Sequence, residues 1–235
     1  MNLTVLLPRV APRAQARVRT WWGKAWARAL EEAAYDDGDL KAARAIARAG
    51  RVGSIEARPG RLRAAVEDAS GLWSVEVEVP VLEDAALDAL VETVAAESGR
   101  VSALLAGDLP HDLVEHAEEA GVELLPYGGE LSASCSCPAW VDACPHALAV
   151  LTQVGWLLDD DPFVLLHLRG LPRDLLLARL HARAPAPPPG SAPGSDAGSD
   201  ADDPDLEHAV DAAVRARRLL ELLDQPGDPA LDHLL

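Results

Sequence analysis

The chain has 235 residues and a formal charge of −17; 49% of the residues are apolar, with six tryptophans but a single phenylalanine and a single methionine. That is room for one domain of ordinary size plus a tail, with a core built mainly from Leu, Val and Ala. No apolar run reaches the ~20 residues of a membrane-spanning helix, and Met1–Arg9 is too short, with its charge on the wrong side, for a secretory signal.

In chain order, residues 1–19 carry Pro and Arg and read as an irregular basic segment. Thr20 can cap a helix to about residue 34, with Trp22, Trp26, Leu30 and Ala33 at helical spacing as core positions. Asp39 can cap a second helix through Ala49, closed by Gly50, on which Lys41, Arg44 and Arg48 share a face, followed by Arg51. A β meander comes next: Ile55 and Ala57, then Leu62, Ala64 and Val66, then Trp73, Val75, Val77 and Val79 alternate inward. Arg58-Pro59-Gly60-Arg61 fits a type II turn between the first two strands. The outward Arg61 and Arg63 are expected to pair with Glu76 and Glu78 across strands.

Residues 83–98 read as an amphipathic helix burying Leu87, Leu90, Val91 and Val94, with Gly99 as its stop. Shorter helices are expected at about 100–107 and 110–120, with His111 and His116 on different faces as surface residues. After a short strand at 131–135 comes the most specific pattern of the chain, Cys135-Ser136-Cys137-Pro138-Ala139-Trp140-Val141-Asp142-Ala143-Cys144-Pro145-His146. Beyond it, Ala147 to Leu158 reads as a helix apolar nearly all round and hence buried, and Asp159-Asp160-Asp161-Pro162 is expected to break the chain. Pro162–Leu168 and Pro172–Arg183 give two more helices. Residues 184–204, rich in Pro, Gly, Ser and Asp, read as a disordered linker, and residues 205–235 as an amphipathic helix with a tail.

The three cysteines, all within ten positions, form no disulfide framework, because an odd count leaves one thiol over. With His146 they make a C-x-C, C-x-H set that suits a tetrahedral structural zinc. Small Ser136 permits the turn that lets Cys135 and Cys137 face one ion. Pro145 suits the first turn of a helix, which places Cys144 at the positive end of the helix dipole. The competing readings are three buried free cysteines, a redox switch, or a catalytic zinc. A catalytic zinc needs an open position and an acid or base, and Asp142 is the one acid inside the knuckle. No nucleophile elbow, Walker loop or dinucleotide fingerprint is present, so no enzymatic activity and no small-molecule substrate are expected. Reduced thiols fit a cytoplasmic protein.

The C-x-C and C-x-H order resembles the SWIM-type zinc finger. Thr20-Trp21-Trp22-Gly23-Lys24-Ala25-Trp26, the segment Arg44 to Val52, and Asp161-Pro162-Phe163 through Arg169-Gly170 look like stretches of bacterial SWIM-finger proteins. The likeness spans residues 20–183 and leaves out the acidic tail. It implies one structural zinc held by Cys135, Cys137, Cys144 and His146, and a module for DNA or protein contacts that in bacteria often accompanies SWI/SNF-type helicases.

Charge divides these two kinds of contact. Residues 1–63 hold thirteen Lys or Arg against six Asp or Glu, whereas residues 64–235 hold eight against thirty-two. Val101 to Leu168 contains no Lys or Arg, and three thiolates on one zinc leave a net charge near −1. The finger is therefore poorly equipped to grip phosphates. The expectation is an α+β fold: a small antiparallel β meander with surrounding helices in 20–130, and a strand–knuckle–helix Cys3His finger with its following helices in 131–183. Its expected function is protein contact, with a SWI/SNF-type helicase as the partner that the resemblance implies. The alternative is nucleic-acid binding through Lys41, Arg44, Arg48 and Arg51.

Overall fold

A computed structural model describes residues 4–15 and 17–183; the expected linker at 184–204 and helix at 205–235 lie outside them. The elements run β1 (Val5–Leu7), α1 (Trp21–Ala33), α2 (Asp37–Arg48), β2 (Val52–Arg58), β3 (Arg61–Glu67), β4 (Leu72–Glu78), α3 (Asp84–Ala95), α4 (Ser98–Leu105), α5 (His111–Glu119), β5 (Ser132–Cys135), α6 (Pro145–Asp160), α7 (Phe163–Leu168) and α8 (Arg173–Arg183). The strands form one antiparallel sheet in the order β1-β2-β3-β4-β5. The fold is α+β, a five-stranded antiparallel sheet with surrounding helices. No helix among the described residues is long and apolar enough to cross a membrane.

Period-two alternation sorts the sheet's faces. Ile55, Leu62, Val66, Val75 and Val77 are fully buried on one side. On the other side Arg63 meets Glu76 at 2.8 Å and Arg61 meets Glu76 and Glu78 at 3.0 and 3.3 Å, in the register that puts Arg63 opposite Glu76 and Arg61 opposite Glu78. The β2–β3 hairpin turns at Pro59-Gly60, where Gly60 takes φ 75°, the left-handed conformation that the third residue of a type II turn requires.

Helix α6 lies against the buried face of the sheet, with α1, α2 and α7 also packed on it. It is buried from His146 through Trp156 and again at Leu158 and Asp159, so it has no solvent face and acts as the centre of the core. The tryptophans of α1 fasten it: the Trp22 and Trp26 Nε1–H groups donate to the Leu158 and Leu151 carbonyls of α6 at 2.7 and 3.0 Å. Trp26 lies over Gly155, where an added Cβ would stand 3.0 Å from the indole. On α2, Ala43 and Ala47 are fully buried, and their small side chains allow close approach to α6.

Four expectations need correction. Residues 1–19 are not wholly irregular, because Val5–Leu7 pairs with Ala57–Ile55 of β2; three residues are too few for alternation to reveal. The cap of α2 is Asp36, whose carboxylate accepts the Asp39 N–H at 2.8 Å, and not Asp39 itself. Gly99 does not stop α3, which ends at Ala95, and lies instead in the first turn of α4. The break expected at Asp159-Asp160-Asp161-Pro162 falls at its second half, because α6 continues to Asp160 before Asp161 caps it.

Asp159 is only 6% exposed and has a definite task. Its carboxylate accepts the backbone N–H groups of Arg19 and Thr20 at 3.0 and 2.8 Å and the Thr20 hydroxyl at 2.6 Å. Thr20 in turn caps α1 by accepting the Gly23 N–H at 3.1 Å. Burial works to raise the Asp159 carboxyl, but the hydrogen bonds from Thr20 and Arg19 outweigh it and hold the group below its ordinary value. A depressed folded value means stability that is present above the unfolded aspartate value of about 3.9 and is lost as pH falls through the folded value. Asp159→Ala should therefore cost about 2–3 kcal/mol at pH 7 by urea denaturation, and the gap from the wild type should narrow below about pH 4.

Candidate metal centre

The knuckle is assembled where the last strand of the sheet meets the first turn of the central helix. Strand β5 lies beside β4 with Cys135 opposite Val75. The chain bends through residues 136–138, yet Ser136 stays tied to Ser74: its N–H donates to the Ser74 carbonyl at 3.0 Å, and its Oγ accepts the Ser74 N–H at 2.9 Å. Cys135 and Cys137 are thus presented from a stretch anchored to the sheet. On the other side, Cys144 is the N-cap residue of α6 and Pro145 occupies its first turn, with His146 beside it.

Between the two pairs the loop is held by Asp142, whose Oδ1 accepts the N–H of Ala133 at 2.9 Å and of Ala143 at 2.8 Å. Ala133 belongs to β5, so Asp142 also ties the loop to that strand. Ala143 sits at φ 57°, the single described non-glycine residue with positive φ. A left-handed alanine costs about 1–2 kcal/mol, and it stands directly before the ligand Cys144.

The four donor atoms, the Sγ of Cys135, Cys137 and Cys144 and a ring nitrogen of His146, all lie within 4.8 Å of one another. Cys137 and Cys144 Sγ are 3.7 Å apart, and His146 Nδ1 is 3.8 Å from Cys135 Sγ and 3.9 Å from Cys144 Sγ. A tetrahedron with zinc–sulfur bonds of about 2.3 Å has edges of roughly 3.8 Å. The cluster therefore already has the size of a Cys3His zinc site, and the residues fit the ion. Cys144 and His146 are buried at 3% and 7% exposure.

A second layer orients the histidine. His146 Nε2 is 3.0 Å from Asp68 Oδ2, so with Nε2–H donating to Asp68 the Nδ1 lone pair faces the thiols, the carboxylate–histidine arrangement that fixes a metal-binding tautomer. Asp68 sits in the β3–β4 turn and also accepts the N–H groups of Ser70, Gly71 and the Trp73 indole at 2.7, 3.0 and 3.0 Å. The hydrogen bonds from Trp73, His146 and Ser70, in that order, hold its carboxyl well below the usual range. Sequence reasoning missed Asp68. The signal for its turn was present, an Asp two residues before Ser70-Gly71, but nothing local connects it to a histidine 78 positions away.

The thiols differ. Burial pushes Cys135 up to about 12 and raises Cys144 above its ordinary value. At Cys137 burial also opposes ionisation, but hydrogen bonds from the Ala139 N–H and His146 prevail and the thiol is lowered. Zinc binds thiolates, so loading must expel the protons of at least Cys135 and Cys144.

Of the Arg-face residues, Arg44 and Arg48 line an open groove of about 640 Å³ together with Arg17 and Lys24, whereas Lys41 and Arg51 are outside that lining. Arg44 is paired with Glu31 at 2.7 Å. His111 and His116 are both exposed. His116 lies with Glu97 and Asp112 around the buried Arg100, whose Nη2 is 2.9 Å from each carboxylate and 2.6 Å from His116 Nδ1. That cluster already holds its cation in the form of a guanidinium.

Comparison with known proteins agrees with this geometry. Residues 120–155, from the end of α5 to Gly155 in α6, match the family model of the SWIM zinc finger. The chain is similar to the uncharacterized protein Rv2102 of Mycobacterium tuberculosis, at 30% identity over 169 residues that make up 71% of this chain and 61% of that protein. The chain thus spans less than two thirds of the relative's length. No solved structure matches.

Two outcomes follow for the site. Replacing Asp68 by Ala should weaken zinc binding roughly 10–100-fold with the four ligands intact, measured by competition with a chromogenic chelator. With at least two thiols to deprotonate, apparent zinc affinity should climb about a hundredfold or more per pH unit near neutrality and fall correspondingly on acidification; the same competition run between pH 6 and 8 reads that slope.

Proposed function

From a chain that carries a SWIM zinc finger at residues 120–155, we propose a protein-contact module built on one structural zinc per chain, acting in the reducing cytoplasm and without enzymatic activity. The observation behind this reading is the closed donor set. Three thiols and an imidazole use all four tetrahedral positions, so no position is left for a water or substrate to be activated. Asp142, the acid in the loop, is engaged with two backbone N–H groups. The metal's role is mechanical: it clasps β5 to α6 and holds the 138–143 loop in one conformation at the surface. The partner class is DNA-processing machinery, with a SWI/SNF-type helicase as the specific partner that the resemblance supports.

A direct test uses the zinc-loaded chain and its Cys137→Ala variant. The wild type should contain one zinc by elemental analysis. The variant should lose it and melt roughly 10 °C or more lower, and a recombinant SWI/SNF-type helicase from the same cell should bind the wild type alone. Equal melting of the two proteins, or equal helicase capture by both, would refute the proposal.

The groove lined by Arg17, Lys24, Arg44 and Arg48 favours a second reading, nucleic-acid binding away from the finger. Under that reading, duplex DNA binds with a log–log salt slope of about −3 to −4 for four phosphate contacts, and Arg44→Ala with Arg48→Ala reduces it. No binding at low salt would eliminate it.

A further inference from the structure

Trp140 takes no part in holding metal, yet it stands on the loop between Cys137 and Cys144 and is 84% exposed. Its ring centroid lies 5.9 Å from that of Tyr35, at an interplanar angle of 68°. Tyr35, between α1 and α2, is itself 67% exposed. The two rings form a corner in the lining of a groove of about 470 Å³, which Trp73, Pro138 and Val141 also line.

The charge of this groove is one-sided. Asp39 and Asp68 line it and no Lys or Arg does. Asp68 is spent on four donors, but the Asp39 carboxylate makes no hydrogen bond or ion pair among the described residues. Aromatic faces set at a wide angle beside an unpaired carboxylate present negative potential from several directions, which attracts an ammonium or guanidinium group. Exposed Trp and Tyr are also the residues that most often anchor protein interfaces.

We propose that the Tyr35–Trp140 corner receives a Lys or Arg side chain from a basic, partly apolar segment of a partner protein, with Asp39 as counter-charge and Pro138 and Val141 as the apolar floor. This rests on the reading of the finger as a protein-contact module and names the chemistry that it recognises. Because Trp140 lies between ligands, zinc sets its position, and recognition is coupled to metal.

The test uses the full-length, zinc-loaded chain and a fluorescein-labelled decapeptide of alternating arginine and leucine, read by anisotropy at 150 mM salt. A glutamate–leucine decapeptide serves as the control. Trp140→Ala and Tyr35→Ala should each weaken binding about tenfold and Asp39→Asn severalfold, with zinc content and melting unchanged. The glutamate peptide should not bind. Undiminished binding in both aromatic variants means that the peptide is captured by acidic residues elsewhere, and it overturns the proposal. So does equal binding of the glutamate peptide. Absence of peptide binding, with self-association that Trp140→Ala abolishes in sedimentation, assigns the corner to a second copy and also overturns it. If chelating the zinc leaves peptide binding and its dependence on Trp140 intact, the corner stands as the binding site while its coupling to metal and the zinc-organised module both fail, so the two readings fall separately.

Discussion

The structure depends on one constraint, that a sixteen-residue helix with almost no polar face must be enclosed on every side. A helix of that kind cannot lie on a surface, so α6 draws the sheet to one flank and α1 and α2 to others. Most of its polar side chains find a partner inside the fold, the Gln153 Oε1 being left without one. Thr152 donates back to the Leu148 carbonyl at 2.7 Å, Gln153 Nε2 reaches the Pro8 and Gly53 carbonyls at 3.4 Å, and Asp159 closes the far end by accepting from Thr20, the residue that caps α1. The metal ligands Cys144 and His146 stand at the near end, so they inherit the rigidity of this long, buried central helix. A site mounted this way keeps its geometry because its scaffold has no alternative packing.

From that end a chain of dependence runs back through the sheet. The β3–β4 turn holds Asp68, Asp68 holds His146, and the metal site joins His146 to β5, which pairs with the β4 that the turn began. Four residues of edge strand are a weak element alone. Here they are fixed by the ladder to β4 on one side and by Asp142 at the Ala133 N–H on the other, which also covers an edge open to pairing with other chains. The left-handed Ala143 persists because Asp142 before it and the ligand after it over-determine its conformation.

Much of this was legible in the sequence, and the limits were physical. Alternation identified the inward residues of β2, β3 and β4, and the all-round apolar run identified α6 as buried. Cysteine spacing placed all four ligands in one cluster. The misses share a cause. The partner of Asp159 lies 139 residues away at Thr20, and Asp68 and His146 are likewise brought together only by the fold. A local window reads three consecutive aspartates before a proline as a break from the first of them, whereas α6 includes Asp159, whose carboxylate binds the start of another helix, and ends only at Asp160. Strand β1 escaped because a three-residue strand makes no pattern, and only its pairing with Ile55–Ala57 defines it. The groove cations were half found: Arg44 and Arg48 share a helix face, but Arg17 and Lys24 come from other segments.

Helix α2 connects the groove beside the finger and the basic groove. Its start, with Asp39 and the adjoining Tyr35, borders the finger's groove, and its later turns carry Arg44 and Arg48 into the basic one. Part of this polarity is ordinary helix chemistry, since acids near the N-terminus and cations near the C-terminus complement the backbone dipole. The dipole does not require Lys24 of α1 and Arg17 before it to converge on Arg44 and Arg48, nor two large aromatic rings to stand exposed beside Asp39. Those features add a preference beyond helix stability at each end. Because the preferences are of opposite charge, the two proposed contacts need not compete: a polyanion would be favoured at the basic groove and disfavoured at the aromatic corner, where a cationic partner would be favoured.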